Sequence, residues 1–213
     1  MISVVIPARD EARAVGDVVR RVGEALGDEA HEILVVDDGS RDGTAAAARA
    51  AGARVLTGAG AGYGAAIKLG LGAARGTWLA LIDADGSYPE AALPGLVAAV
   101  RGGARQAIGA RPGFGPGESW ARSAVKALFR LAVRWGGGFQ AADLNSGLRV
   151  LRTEDLRALA PLLPDRFSLT TTLTLALAAS GGGGATVFVP ITYRARTGRS
   201  KWRPVCDTWR MGR

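Results

Sequence analysis

Short apolar runs alternate with segments of helical spacing through the first hundred residues of this chain. Residues 2–7, 32–36, 54–56 and 78–82 are apolar enough to be buried strands. Between them, Val15, Val18, Val19, Val22 and Leu26 recur at helical spacing, an alanine-rich run reaches Ala51, and residues 65–74 form a third helical segment. Parallel strands need long crossovers, usually helical, so this β-α-β-α-β-α-β order commits the chain to a mostly parallel central sheet flanked by helices. Downstream, residues 90–101, 120–135 and 168–179 read as helices, and 106–111, a turn from 143 into 151, and 186–191 as strands. No internal repeat and no long linker divides the 213 residues. A single α/β domain over 1–193 is expected, with a basic tail over 194–213.

In a parallel sheet the C-terminal strand ends share one edge, and ligands bind in the crevice outside it. Three predicted strand ends carry turn residues or acids: Pro7 to Glu11, Asp37-Asp38-Gly39, and Asp83-Ala84-Asp85-Gly86. If extended geometry persists past Ile82, Asp83 and Asp85 point to the same side. Two hard oxygen ligands there can hold Mg²⁺ or Mn²⁺ against a diphosphate. Ser87 fits a helix N-cap, with Glu90 closing a capping box, and Asp10 fits a cap for the first helix. The competing reading of each acid is a solvated turn residue. Carboxylates suit a ribose hydroxyl, a base N–H or a metal and repel bare phosphate. Cations must therefore join them, and Arg111, Arg149, Arg196, Arg199 and Lys201 are available. The loop Gly58 to Gly64 does not match Gly-x-Gly-x-x-Gly, and no P-loop is present, so a flexible connection is the plain reading of it.

Composition narrows the class. Hydrophobic content of 48% and charged content of 22% describe a globular chain. The single Cys206 excludes an intramolecular disulfide, and the single His31 excludes a multi-histidine metal site. No leader is visible before the first strand, and no run of 18 apolar residues occurs. The net charge of +8 is concentrated in two segments. Residues 194–213 hold seven basic residues against Asp207, and residues 120–135 hold four basic residues and no acid. Arg122, Lys126, Arg130 and Arg134 form one stripe of the 120–135 helix, and four of the five tryptophans lie in these two segments. The composition points to anionic lipid at a membrane interface, against a solvated basic helix face as the alternative.

The segments 4–11, 35–44 and 83–86 together resemble the inverting family-2 glycosyltransferases of GT-A fold. Asp143-Leu144-Asn145-Ser146-Gly147-Leu148-Arg149 and residues 193–202 are similar to the dolichol-phosphate and polyprenyl-phosphate mannosyl- and glucosyltransferase branch. The resemblance spans essentially the whole chain. It implies that Pro7, Ala8, Glu11 and Asp38 hold the nucleoside of a nucleotide diphosphate sugar. It makes Asp83, Ala84 and Asp85 the Asp-x-Asp motif, with Asp83 and Asp85 as Mg²⁺ or Mn²⁺ ligands. Arg196 and Lys201, with Lys68, join the donor-binding set, and Arg111, Arg122 and Ser146 face the acceptor phosphate. Ser87 stands where the branch often has a metal-binding Gln.

The implied reaction moves a hexose, of GDP-mannose or UDP-glucose type, onto a polyprenyl phosphate at the cytoplasmic membrane face. A phosphate monoester is already anionic and needs no strong base. A hydroxyl acceptor would need one, and Asp143 is the candidate. The alternatives are a soluble or glycan acceptor, or a catalytically silent nucleotide-sugar module. The acidic crevice argues against nucleic acid. The base, the sugar and the oligomeric state are left open.

Overall fold

The computed structural model describes residues 1–111, 143–180 and 185–194. The expected helix over 120–135, the loop before it, Arg122 and the tail with Arg196, Arg199 and Lys201 lie outside the described residues.

The predicted alternation is the observed one: β1 (Ile2–Ala8), α1 (Val15–Leu26), β2 (His31–Asp37), α2 (Thr44–Ala50), β3 (Arg54–Thr57), α3 (Tyr63–Ala73) and β4 (Trp78–Leu81). A 3₁₀ turn (Glu90–Ala92) leads into α4 (Leu93–Arg101) and β5 (Gln106–Ala110). After the undescribed segment come β6 (Arg149–Arg152), α5 (Thr153–Leu159), a 3₁₀ turn (Ala160–Leu162), α6 (Leu169–Ala179) and β7 (Thr186–Pro190). One seven-stranded sheet runs β3-β2-β1-β4-β6-β5-β7.

The parallel part is β3-β2-β1-β4, with Ala8 opposite Asp37 and Val5 opposite Leu81. β6 enters reversed between β4 and β5, antiparallel to both. β5 therefore runs in the direction of β4, and Arg111 leaves it on the edge where β1, β2 and β4 also end. The turn from Asp143 reaches β6 on that same edge, because β6 starts where its neighbours finish.

Strand alternation divides the core. Ile2, Val4 and Ile6 pack with Val15, Val19, Leu93 and Leu96 on one face. Val5, Leu34 and Val36 pack with Ile67, Leu71, Leu169 and Leu173 on the other. Helix α3 lies close on β1 because Gly70 has no side chain: a Cβ there would run into the methyls of Val5 and Val36. Gly70→Ala is expected to cost about 1–3 kcal/mol through overpacking, read as a lower urea midpoint with an unchanged slope.

Three local expectations are corrected. Pro7 lies inside β1 rather than ending it, as a proline can where its missing N–H leaves no ladder bond unmet. Asp10 does not cap α1, which starts after Ala14 without a side-chain cap. The Asp10 carboxylate instead accepts from the Arg41 N–H at 2.8 Å, with its own φ at 49°. Ser87 caps nothing either, because the helical turn begins three residues later and has no side-chain cap.

Candidate active site

The site is built from the loops that leave β1, β2, β4 and β5 and the turn that enters β6. Strand β4 stops at Leu81, so extended geometry does not carry through to Asp85. Ala84 and Asp85 form a turn, with Gly86 in the left-handed region at φ 71°. Asp85 is 6% exposed, and its Oδ1 accepts from the Ser87 N–H at 3.0 Å and the Ser87 hydroxyl at 2.5 Å. Ser87 thus orients Asp85.

Asp83 is held differently. Its Oδ1 accepts from the Tyr63 hydroxyl at 2.9 Å. Its carboxylate lies against Gly147, where a Cβ would come within 2.5 Å of Oδ1 and 2.6 Å of Oδ2. The Gly147 N–H donates to the Tyr88 hydroxyl oxygen at 2.7 Å. Burial, then the Asp83 charge, pushes the Tyr63 hydroxyl well above the ordinary tyrosine range, and the same two causes raise Tyr88. Both hydroxyls therefore keep their protons at neutral pH.

Asp38 closes the Gly-rich loop. It is 5% exposed and accepts from the Ala61 N–H at 3.1 Å and the Gly62 N–H at 2.8 Å. The loop read as a flexible connection is thus fastened at its end, immediately before Tyr63 begins α3. The first two loops are joined as well: the Glu11 N–H donates to Thr44 Oγ1 at 2.8 Å and the Asp10 N–H to Ser40 Oγ at 2.9 Å. Pro7 and, at the end of β1, Ala8 lie beside them and are buried.

Arg111 and Asp143 form a bidentate pair, Nε to Oδ2 at 2.6 Å and Nη2 to Oδ1 at 2.9 Å. Burial alone would lower the Arg111 pKa, but the hydrogen bonds to Asp143 raise it, and the guanidinium stays charged. It lies 5.5 Å from the Tyr193 ring centre. Tyr193 packs edge-on against Tyr88 at 5.2 Å, and the Arg194 N–H donates to the Ser87 carbonyl at 2.9 Å. Arg194 also reaches the buried Glu90 at 3.2 Å. Residues 193–194 therefore lie against the turn that carries Asp85.

Four expected site residues have other employment. Ser146 is fully buried and donates to the Gly109 carbonyl at 2.6 Å, so it does not face an acceptor. Arg149 is fully buried and donates to the Ser146, Leu144 and Thr170 carbonyls, so it does not meet phosphate. Lys68 points back along α3 to the Leu163 carbonyl at 2.5 Å and to Asp165 at 2.7 Å. Asp143, held by Arg111, is a poor candidate for a base. The structure brings Asp83, Asp85, Arg111 and Asp143 to one edge, with Asp38 on the adjoining loop. Tyr63, Tyr88 and Tyr193 were missed as site residues; their signals in the sequence are a tyrosine between two glycines, one just after the Asp83–Gly86 turn, and one before the basic tail.

Asp83 and Asp85 offer hard carboxylate oxygens from one short turn. That donor set fits Mg²⁺ or Mn²⁺, which bind one or two carboxylates and complete their shell with water and phosphate oxygens. Among the described residues, no group of three or more His, Cys, Asp or Glu is placed to hold a metal. Also among them, no helix is long and apolar enough to cross a membrane.

Comparison with known proteins agrees with this fold. The family model described as Glycosyl transferase family 2 matches residues 3–159. An uncharacterized glycosyltransferase of Mycobacterium bovis is 36% identical over 110 residues, 52% of this chain and 48% of that protein. The undecaprenyl-phosphate 4-deoxy-4-formamido-L-arabinose transferase of Pseudomonas aeruginosa is 32% identical over 169 residues, 75% of this chain and 49% of that protein. The chain thus spans about half the length of the curated relatives it matches. Among solved structures, glucosyl-3-phosphoglycerate synthase from Mycobacterium tuberculosis, in complex with Mn²⁺, UDP-glucose and glycerol 3-phosphate, superimposes with a TM-score of 0.76 at 24% identity. That match covers 99% of this chain and 76% of the other, and it establishes the GT-A fold.

Proposed function

The chain belongs to glycosyl transferase family 2, and from that premise we propose that it moves a hexose from a nucleotide diphosphate sugar to a polyprenyl phosphate, with inversion. Residues 1–193 serve as the catalytic domain, and the basic tail and the 120–135 segment contribute arginines and tryptophans toward an anionic membrane surface.

Pro7, Ala8, Glu11 and Asp38 bind the nucleoside at the ends of β1 and β2. Asp83 and Asp85 would hold Mg²⁺ or Mn²⁺, which, when bound, neutralises the diphosphate leaving group. Ser87 orients Asp85 by its two hydrogen bonds. Arg111, kept charged by Asp143, supplies positive charge on the acceptor side.

The observation that carries the choice of acceptor is the Arg111–Asp143 pair. Asp143 is the carboxylate the sequence offers as a general base, and it is held bidentately by a guanidinium. A nucleophile that arrives ionised fits this arrangement, and a phosphate monoester is such a nucleophile. The Pseudomonas aeruginosa relative, an undecaprenyl-phosphate transferase by name, supports a polyprenyl carrier. The Mycobacterium tuberculosis synthase, bound to glycerol 3-phosphate, supports a second reading with a small soluble phosphate acceptor.

Two measurements test this. In a thermal-shift panel of UDP-, GDP- and dTDP-sugars, one nucleotide is expected to raise the melting temperature only with Mn²⁺. The same donor is then offered undecaprenyl phosphate in anionic vesicles or 3-phosphoglycerate in buffer. Transfer confined to the vesicles supports the polyprenyl reading, and transfer confined to buffer replaces it with the second. No shift with any nucleotide overturns both.

A further inference from the structure

We infer that Tyr63 is a positioning residue for Asp83, and that through it the Gly-rich loop links the nucleoside end of the site to the metal end. The inference rests on the donor site proposed above.

Tyr63 is the first residue of α3, directly after the loop that Asp38 fastens. Its hydroxyl reaches across to Asp83 Oδ1 at 2.9 Å. Its ring stacks on Phe167, with centres 5.5 Å apart and planes 17° apart. The ring is therefore fixed from one side while the hydroxyl is aimed at the carboxylate. The backbone beneath it is fixed as well: the Ala65 N–H donates to the Asp165 carbonyl at 3.0 Å, and Gly64 lies close on the Pro164–Asp165 backbone.

A short path follows. Asp38 holds the Ala61 and Gly62 amides, Gly62 precedes Tyr63, and Tyr63 holds Asp83. A tyrosine hydroxyl on one carboxylate oxygen restricts the rotation of that carboxylate. Hydrogen-bond partners of this kind typically change metal affinity 10- to 100-fold when removed. A donor nucleoside that presses on the Asp38 loop thereby bears on Asp83 through the protein, in addition to any link through its diphosphate.

Tyr63→Phe removes the hydroxyl and keeps the stacked ring. Mn²⁺ is titrated by electron paramagnetic resonance with UDP, GDP or dTDP present, whichever shifts the melting temperature of the unaltered protein. The expected result is Mn²⁺ affinity 10- to 100-fold weaker in Tyr63→Phe, with a melting temperature close to that of the unaltered protein. Phe167→Leu, which loosens the stack and keeps the hydroxyl, should change Mn²⁺ affinity much less. Mn²⁺ affinity unchanged in Tyr63→Phe overturns the inference while the proposed donor site stands. So does an equal loss in Phe167→Leu, since the ring and not the hydroxyl would then be the determinant. If the unaltered protein binds no Mn²⁺ with any of the three nucleotides, the donor-site reading itself falls, and the inference falls with it.

Discussion

Asp85→Asn is expected to leave the fold intact and to reduce sugar transfer by about 10²-fold or more. The substitution separates charge from shape. Asp85 is 6% exposed, and its Oδ1 accepts both Ser87 hydrogen bonds. An asparagine carbonyl can accept the same two bonds, so the turn after β4 keeps its geometry. What disappears is the negative charge that a divalent cation requires. Removing a partner of a metal ligand already costs about 10- to 100-fold, and removing the ligand's charge should cost at least the upper end of that range. Alanine is the less informative change. It would leave the Ser87 N–H and hydroxyl without their acceptor in a buried turn, adding about 1–3 kcal/mol of destabilisation to any loss of chemistry. Turnover followed across a Mn²⁺ titration at saturating donor, alongside a melting curve, checks the expectation. Near-normal turnover with a normal melting curve would remove the metal-assisted mechanism.

The parallel half of the sheet was legible because its signal is redundant. Each strand from β1 to β4 is a short apolar run closed by a turn, and each intervening helix has its own periodicity or an alanine-rich run. The position of Asp83 and Asp85 followed from the direction of β4 alone. Strand β6 was legible as a strand but not as a reversed one, because Arg149-Val150-Leu151-Arg152 has the same pattern in either direction. Its place between β4 and β5 depends on long-range pairing. The cations were the least legible part. Arg111 and Arg149 are the same residue type at strand ends, yet one reaches a carboxylate at the crevice and the other turns into the core. Residue type gives the available donors and does not give the direction in which the side chain leaves the strand. Tyr63 was hidden for a related reason. Glycine on both sides of it suggested mobility, whereas Asp38, distant in sequence, supplies the acceptors that hold the loop.

Arg149→Met is expected to lower stability by about 3 kcal/mol or more. The guanidinium is fully buried. It donates to the Ser146 carbonyl at 3.1 and 2.6 Å, to Leu144 at 3.2 Å, and to the Thr170 carbonyl and Thr174 Oγ1 at 3.0 Å each. Burial lowers its pKa, while nearby polar and charged groups, Asp143 and Asp83 among them, favour the charged form. Methionine fills much of the volume but leaves at least the Ser146 and Leu144 carbonyls short of a donor, at about 1–3 kcal/mol each. Lysine should fall between the two, since it keeps a charge but lacks the planar fork that reaches several acceptors at once. Urea unfolding of the three proteins reads the order directly. The same contacts give the substitution a second consequence. Ser146 and Leu144 flank the turn that brings Gly147 against Asp83, so a loosened turn leaves the Asp83 carboxylate less well confined. Arg149→Met should therefore weaken metal-dependent nucleotide binding even at temperatures where the variant remains folded. A normal unfolding midpoint would mean that the 143–148 turn is held by its other bonds. Ser146 to Gly109 and Gly147 to Tyr88 would then be the contacts that position it.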